Sequence, residues 1–489
     1  MHCRRARGPA VVLRTGHDRG NGLGPQLVGR TAALLGGGAL LLLAGPALAL
    51  GDAGTETPAE AASPTSSSES APAPSSAALP TASANQPTAA KVPGGDAVAW
   101  PHYDQGFVLV PTLDPVKTPF RLRLNHVSQF RYTNTLAVKK TYTDHFGNVK
   151  DVLTRNDIQL TRDVFYFSGF AFDPRLDFNI LLYTSSATLS ATAAGYVGFV
   201  FNDAFALRAG FFSLPSVRSL TGTYPFFHST DRSMANNYVR PGFTQGVWAN
   251  GEAFPGFNYI AMIGNSLNTL DIAATRIDDN FAYSVSIWYD LHDFDKPWND
   301  NEYHEEVALR IGTAFTYARE DRLSDLATAS PENNSIFISD GALLFATGAL
   351  APNVTVQLAN YYLWAIDAGM KFRGLAVNAE LYQRWLNGFS ADGPLPVGSM
   401  YDWGLEASLG YFVVRNKLEP YGRTSFVIGP WGKSAEGAAG VNWYPFGKRA
   451  VSLNVEAIGI SNSPYQSALY VYSVVQTGLL IQSQFLVRL

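Results

Sequence analysis

Residues 479–489 read LLIQSQFLVRL. Leu479, Ile481, Phe485, Val487 and Leu489 fall on one side of a two-residue repeat, while Gln482, Gln484 and Arg488 fall on the other. Successive side chains of a strand point to opposite faces, so this is a strand with one apolar and one polar face. The same alternation recurs upstream. In KRAVSLNVEAIGI (448–460), Val451, Leu453, Val455 and Ala457 alternate with Ser452, Asn454 and Glu456. In LAVNAELYQRW (375–385), Leu375, Val377, Ala379, Leu381 and Trp385 alternate with Asn378, Glu380 and Arg384. Farther back, Val307, Leu309, Ile311, Phe315 and Tyr317 alternate with Glu306, Arg310 and Thr316. A β-sandwich also alternates, but it buries its apolar face centrally. A transmembrane barrel turns that face to lipid and the charges to a wet interior.

Composition agrees with the barrel. The 489 residues are 16% charged and 13% aromatic, against about 25% charged in an ordinary soluble domain. The 44 glycines suit tight turns, and the 30 phenylalanines and 23 tyrosines suit strands. Six basic residues (Arg4, Arg5, Arg7, Arg14, Arg19, Arg30) and one acid, Asp18, precede residue 50. Without that segment 30 basic residues face 39 acidic ones, a net charge of −9. Such a balance argues against a nucleic-acid partner, which would call for a basic surface. The lone cysteine, Cys3, lies in the same segment, so the remainder has no disulfide or thiolate chemistry.

The amino-terminal region supplies an address. TAALLGGGALLLLAGPALAL (31–50) follows the basic stretch and ends in Ala47-Leu48-Ala49, the charge, apolar core and small-residue order of a secretory signal. Residues 1–49 are read as a signal peptide cleaved after Ala49. Residues 50–99 are rich in Ala, Ser, Pro and Thr with no aromatic residue, the composition of a disordered linker. The barrel domain is placed at 100–489, where Trp100 opens an abrupt change of composition.

Sixteen strand-length segments can be counted between residues 120 and 489, an even number. The connections alternate. FDP, ND, EAFP, RG, RNK and PFGKR are short, whereas 134–155, 214–242, 265–279, 319–358, 388–400 and 460–471 are long. Outer-membrane barrels have short turns on the periplasmic side and longer loops outside, so both ends of the barrel are expected in the periplasm. LHDFDKPWNDNEY (291–303) breaks the alternation as a long connection on the short side.

The chain resembles the phosphate-selective porins, the O and P type, of Gram-negative outer membranes. The resemblance spans Phe107 to Leu489 and rests on FRLRLNHVSQFRY (120–132), FSGFAFDPRLDF (167–178), LRAGFFSLP (207–215) and TDRSMANNY (230–238). It implies a sixteen-stranded homotrimeric pore, embedded in outer-membrane lipid, whose third outer loop folds inward and narrows the channel. That loop is 214–242 here. It carries Arg218, His228, Asp231, Arg232 and Arg240, and Arg121, Arg123 and Arg131 share the inner face of the first strand. Guanidinium groups bind phosphate or carboxylate bidentately, so an arginine ladder is what an anion path needs; the plainer reading is a charged lining paired with acids that keeps the pore wet. Pro215 is followed by Ser216-Val217 where the family has an aromatic residue and glycine, and its arginine-rich second strand is reduced to TRDVFYF (161–167). These departures bear on the solute, not on the barrel. By the two-residue count Arg162 falls on the apolar face, which requires that it snorkel or that the register slip there.

The function expected is passive diffusion of small hydrophilic solutes or ions, possible anions such as phosphate among them, with no catalysis. Two other classes compete. His126 and Ser128 lie two apart on the presumed outward face, similar to the outward His and Ser of outer-membrane phospholipase barrels, although no third residue is evident from sequence. A secreted soluble protein could instead bind carbohydrate through its aromatics. Asp293, Asp295, Asp300 and Glu302 form an acidic loop without the glycine and ligand spacing of a calcium site. No P-loop, HExxH or GxSxG pattern is present, so neither cofactor nor metal is called for.

Overall fold

The computed structural model describes residues 102–104, 106–111, 119–292, 300, 302–326, 332–467 and 477–489. The expected signal (1–49) and linker (50–99), together with Asp293 and Asp295 of the acidic loop, lie outside the described residues.

Sixteen antiparallel strands close into one barrel. The first half comprises β1 (Phe120–Val138), β2 (Asn156–Ala171), β3 (Asp173–Ser185), β4 (Ser190–Asn202), β5 (Phe205–Ser213), β6 (Phe243–Phe254), β7 (Phe257–Gly264) and β8 (Ala282–Leu291). The second half comprises β9 (Ala308–Asp321), β10 (Val356–Phe372), β11 (Leu375–Ala391), β12 (Ser399–Tyr411), β13 (Leu418–Gly429), β14 (Gly432–Trp443), β15 (Val451–Ser461) and β16 (Gly478–Arg488). Every strand pairs with its sequence neighbour, and β16 returns to β1 with Gln484 opposite Arg131 and Val487 opposite Ser128. Below the point where β16 ends, the short strand Phe107–Val110 pairs with Leu122–Leu124 and continues the ladder beside β1. The sheet therefore has no open lateral edge along its spanning part, which a strand structure needs in hydrocarbon.

The alternation is realised as inside and outside. Ile311, Ile263, Val247 and Leu409 project outward, each roughly half exposed, and Phe485, Ile481 and Val455 do the same on the strands that decided the reading. Arg310, Glu380, Arg384, Glu436, Glu456 and Gln482 point inward and are buried, and Glu406, also inward, is partly buried. At Arg373-Gly374 both residues adopt positive φ, 45° and 90°, the backbone that a two-residue hairpin between right-twisted strands requires.

One strand departs from strict alternation, as the position of Arg162 in the sequence requires. Arg162 pairs with Gln129 whereas Leu160 pairs with Phe130, so Thr161 is an extra residue, a β-bulge. Beyond it the faces exchange. Arg162, Val164 and Tyr166 turn inward, and Arg162 is fully buried with no snorkelling to either rim.

The interior is occupied. Loop 214–242 contributes Leu214, Val217, Leu220, Met234, Ala235, Tyr238 and Val239 to an apolar cluster that also takes Phe212, Trp248 and Trp288 from the wall. Loop 322–355 adds Ile336, Phe337, Ile338, Leu344 and Phe345 to the same cluster. Among the described residues no helix is long and apolar enough to cross a membrane.

Gly169 faces the β1 backbone so closely that an added Cβ would lie 1.7 Å from the Arg121 carbonyl oxygen. We expect Gly169→Val to cost about 1–3 kcal/mol or more by overpacking, seen as loss of the compact, heat-modifiable form on unboiled gels. Unaltered migration and urea midpoint would contradict this packing.

Candidate functional site

The wall opposite loop 214–242 carries a row of acids. In the barrel register Asp367, Glu380, Glu406, Ser425 and Glu436 lie side by side on β10 to β14. Like charges directly opposite each other destabilise a sheet, and of these carboxylates Asp367, Glu380 and Glu436 are buried and Glu406 partly so. Arg310 Nε lies 2.5 Å from Asp367 Oδ1 and Arg423 Nε lies 2.8 Å from Glu436 Oε1. Tyr382 Oη of the wall donates to Glu380 at 2.8 Å, and the loop supplies further donors. Arg218 N donates to Glu380 at 2.8 Å, Ser233 Oγ to Glu406, and Met234 N to Glu436 at 2.8 Å. One strand farther on, the Ser229 and Thr230 hydroxyls donate to Glu456. Ser233 also caps the short helix α1 (Met234–Val239) by accepting from Asn236 N at 3.1 Å, so one residue starts the turn and ties it to the wall.

On the opposite side the charges reverse. Asp231 of the loop receives Arg131 Nη2 at 2.8 Å and Arg162 Nη1 at 2.6 Å. Arg162 Nε also reaches Glu332 of loop 322–355 at 2.7 Å, and Arg232 Nη1 lies 3.3 Å from the other Glu332 oxygen. Burial alone would raise these two carboxyls. The guanidiniums of Arg162 and Arg131 outweigh it and hold Asp231 far below the usual carboxylate range. Arg162, Arg232 and Arg240 likewise hold Glu332 down at about 2. In both, the charged form is the one that the surrounding guanidiniums favour.

The residues singled out from sequence thus separate into groups. Arg131, Asp231, Arg232 and Arg240 converge, the last through its Nη1 bond of 2.9 Å to the Glu332 carbonyl. Arg218 shares the lining of a small cavity with Asp231 and Arg232 but pairs with Asp300, at 2.7 Å. His228 is buried with Nδ1 3.0 Å from Ser408 Oγ; desolvation lowers it to about 4, so it is neutral near pH 7 and adds no cation. Arg121 pairs with Asp104 at 2.6 Å and is partly exposed. Arg123 lies eight residues before Arg131 along β1, roughly 26 Å at about 3.3 Å per residue. Two cavities flank the loop. One of about 40 Å³ lies against β11 to β13 and one of about 90 Å³ against β2 to β4; Arg232 and Ser219 line both.

Sequence reasoning did not assign Glu332, Glu406, Glu436 or Arg423. Glu380 and Glu456 were legible as inward charges, but their role was not. A signal existed in the recurrence of glutamate at inward positions of successive strands. What it could not show is that the rungs coincide, which depends on register across five strands.

On the outer face the structure supplies a carboxylate for His126 and Ser128. Asp163 Oδ1 lies 2.6 Å from His126 Nε2 and accepts from Ser128 Oγ, which is itself 3.1 Å from the same Nε2. In a working serine triad the base uses one ring nitrogen for the serine and the other for the acid. Here both converge on Nε2, so the trio is a mutually satisfied polar cluster and not a relay.

No family model matches the chain, and no curated protein matches it. Among solved structures, the chain is similar to the outer-membrane-expressed OmpT of Vibrio cholerae, with 10% identity, a TM-score of 0.48, and coverage of 76% of this chain and 98% of that one. An anion-selective porin from Comamonas acidovorans is 12% identical with a TM-score of 0.45, over 76% of this chain and 99% of its own. The outer-membrane channel DcaP of Acinetobacter baumannii is 9% identical with a TM-score of 0.41, over 76% and 97%.

Removing Asp231 takes a carboxylate from two buried arginines. Asp231→Ala is expected to cost about 3–5 kcal/mol, read from urea unfolding; a loss under ~1 kcal/mol, the worth of an exposed pair, would contradict the burial. A second expectation concerns pH. Burial, aided by Asp321, raises Asp325 of loop 322–355 to about 7. The folded loop thus prefers the protonated acid, and the stability this contributes is complete below the ordinary carboxylate range and lost as pH rises through about 7. Protease cleavage within the loop should increase over that interval, and Asp325→Asn should abolish the increase.

Proposed function

We propose that this chain is an outer-membrane porin, a water-filled passage for passive diffusion of small hydrophilic solutes, narrowed by loops 214–242 and 322–355. The observation that carries the reading is the distribution of polarity on a closed barrel. Apolar side chains such as Ile311, Leu409 and Phe485 cover the outside, and the charges lie within. That arrangement suits lipid outside and water inside, and it disfavours a soluble carbohydrate-binding protein. The reading includes export by residues 1–49, a spacer at 50–99, both barrel ends in the periplasm and assembly as a homotrimer.

For selectivity, the constriction favours weak discrimination by charge. A phosphate path needs guanidiniums whose charge is not already met, because the field of a lining selects by sign only when a net charge remains. Arg131, Arg162 and Arg232 all face Asp231 or Glu332, and Arg218 faces Asp300. Small uncharged solutes fit this lining better than inorganic phosphate.

Swelling of proteoliposomes containing the folded chain is expected in small polyols and to decline with solute size. Salt-gradient reversal potentials should lie close to the value for free diffusion. Folded protein that leaves vesicles as tight as lipid alone would refute the channel. Lipid hydrolysis that disappears in His126→Ala would instead establish the phospholipase.

A further inference from the structure

We infer that the cavity between loop 214–242 and strands β2 to β4 is a binding site for an uncharged six-membered ring carrying hydroxyl groups, a solute that dwells there during passage. The inference rests on the channel reading for its biological meaning, but the site can be tested without it.

Three observations carry it. First, the walls are rings. Tyr166, Tyr183 and Tyr196 rise from the barrel and Tyr224 comes from the loop, so aromatic faces meet across one space of about 90 Å³. Such faces hold planar or puckered rings through their C–H edges and π-surfaces. The space accepts the leading edge of one ring, and it stays open beside Leu181 and Ala194, which line it and are only partly buried.

Second, hydrogen-bonding capacity is left over. Asn179 lines the cavity and is 3% exposed, and its Oδ1 has no partner among the described residues. The Tyr224 hydroxyl is likewise buried and without a partner. A buried acceptor left unmade costs about 1–3 kcal/mol, so both atoms stand ready for a ligand that brings hydroxyl groups. An alkyl or purely aromatic molecule would not answer them.

Third, among the described residues the only charged ones lining the cavity are Arg232 and Glu332, and they face each other at 3.3 Å. Glu332 is also held by Arg162, and Tyr183 Oη donates to it at 3.3 Å. An ionic solute would have to compete with that network, whereas a neutral one leaves it intact. Ring faces, spare polar atoms and internal neutrality together specify the ligand class. Phenols and monosaccharides share this chemistry.

The test is titration calorimetry on the full chain folded in detergent, with catechol and glucose as the two ring probes and sorbitol as the open-chain control. Saturable binding of at least one ring and none of sorbitol is expected. Catechol alone would identify the phenolic source, and glucose alone the sugar source. Tyr224→Phe removes only a hydroxyl and should weaken binding about tenfold, one hydrogen bond's worth. Asn179→Leu should act likewise, with heat-modifiable migration as the control for folding. Absence of binding by both rings, equal binding of sorbitol, or binding unchanged in both variants would overturn the site. Conductance of the same preparation separately decides the channel reading. A conducting barrel that binds neither ring refutes only this inference, and a ring-binding barrel that never conducts refutes only the channel.

Discussion

The interior of this barrel depends on the satisfaction of buried carboxylates. Glu380, Glu406 and Glu436 come from neighbouring strands and share one level with Asp367. Left facing one another they would repel, and buried charge without partners is among the costliest features a protein can carry. Loop 214–242 answers them with backbone N–H groups and hydroxyls. Wall and loop therefore need each other, and the loop's course through the interior follows from where those acids stand.

A second set of charges locks the arrangement from the far side. Asp231 lies between Arg131 and Arg162, and Glu332 brings loop 322–355 to the same point. Arg162 can take part only because Thr161 bulges out of register and turns the rest of β2 by one residue. A single extra residue thus decides whether a guanidinium meets lipid or two carboxylates. The consequence for transport is that most of the charge expected to attract anions is spent internally. Of the two cavities beside the loop, the one of about 90 Å³ is lined by tyrosines and by two polar atoms without partners among the described residues.

The strands were legible because alternation is a local property. The segment 375–385 shows its inner and outer faces without reference to any other strand, and the same holds for 448–460. Counting such segments reached sixteen, and the short connections, RG at Arg373-Gly374 among them, carry turn chemistry that adjacent residues determine. The long connection expected at 460–471 runs into residues outside the described ones, and the strand described after it begins at Gly478. For Arg162 alternation signalled a conflict without resolving it.

The candidate site was legible only as an inventory. Arg131, Arg218, His228, Asp231, Arg232 and Arg240 could be assigned to the first strand and one loop, because chain order and residue type suffice for that. Their partners could not be assigned. Glu332 lies 100 residues from Arg232, and the acids of β10 to β14 align only after four registers are set. The sequence by itself determined the strands and, Arg162 apart, which of their faces carry charge, since both follow from a repeat within a single strand, and counting those segments set the strand number. Only the tertiary structure decided which charges cancel and which polar atoms are left for a solute, because electrostatic matching is a property of distances between strands and loops remote along the chain.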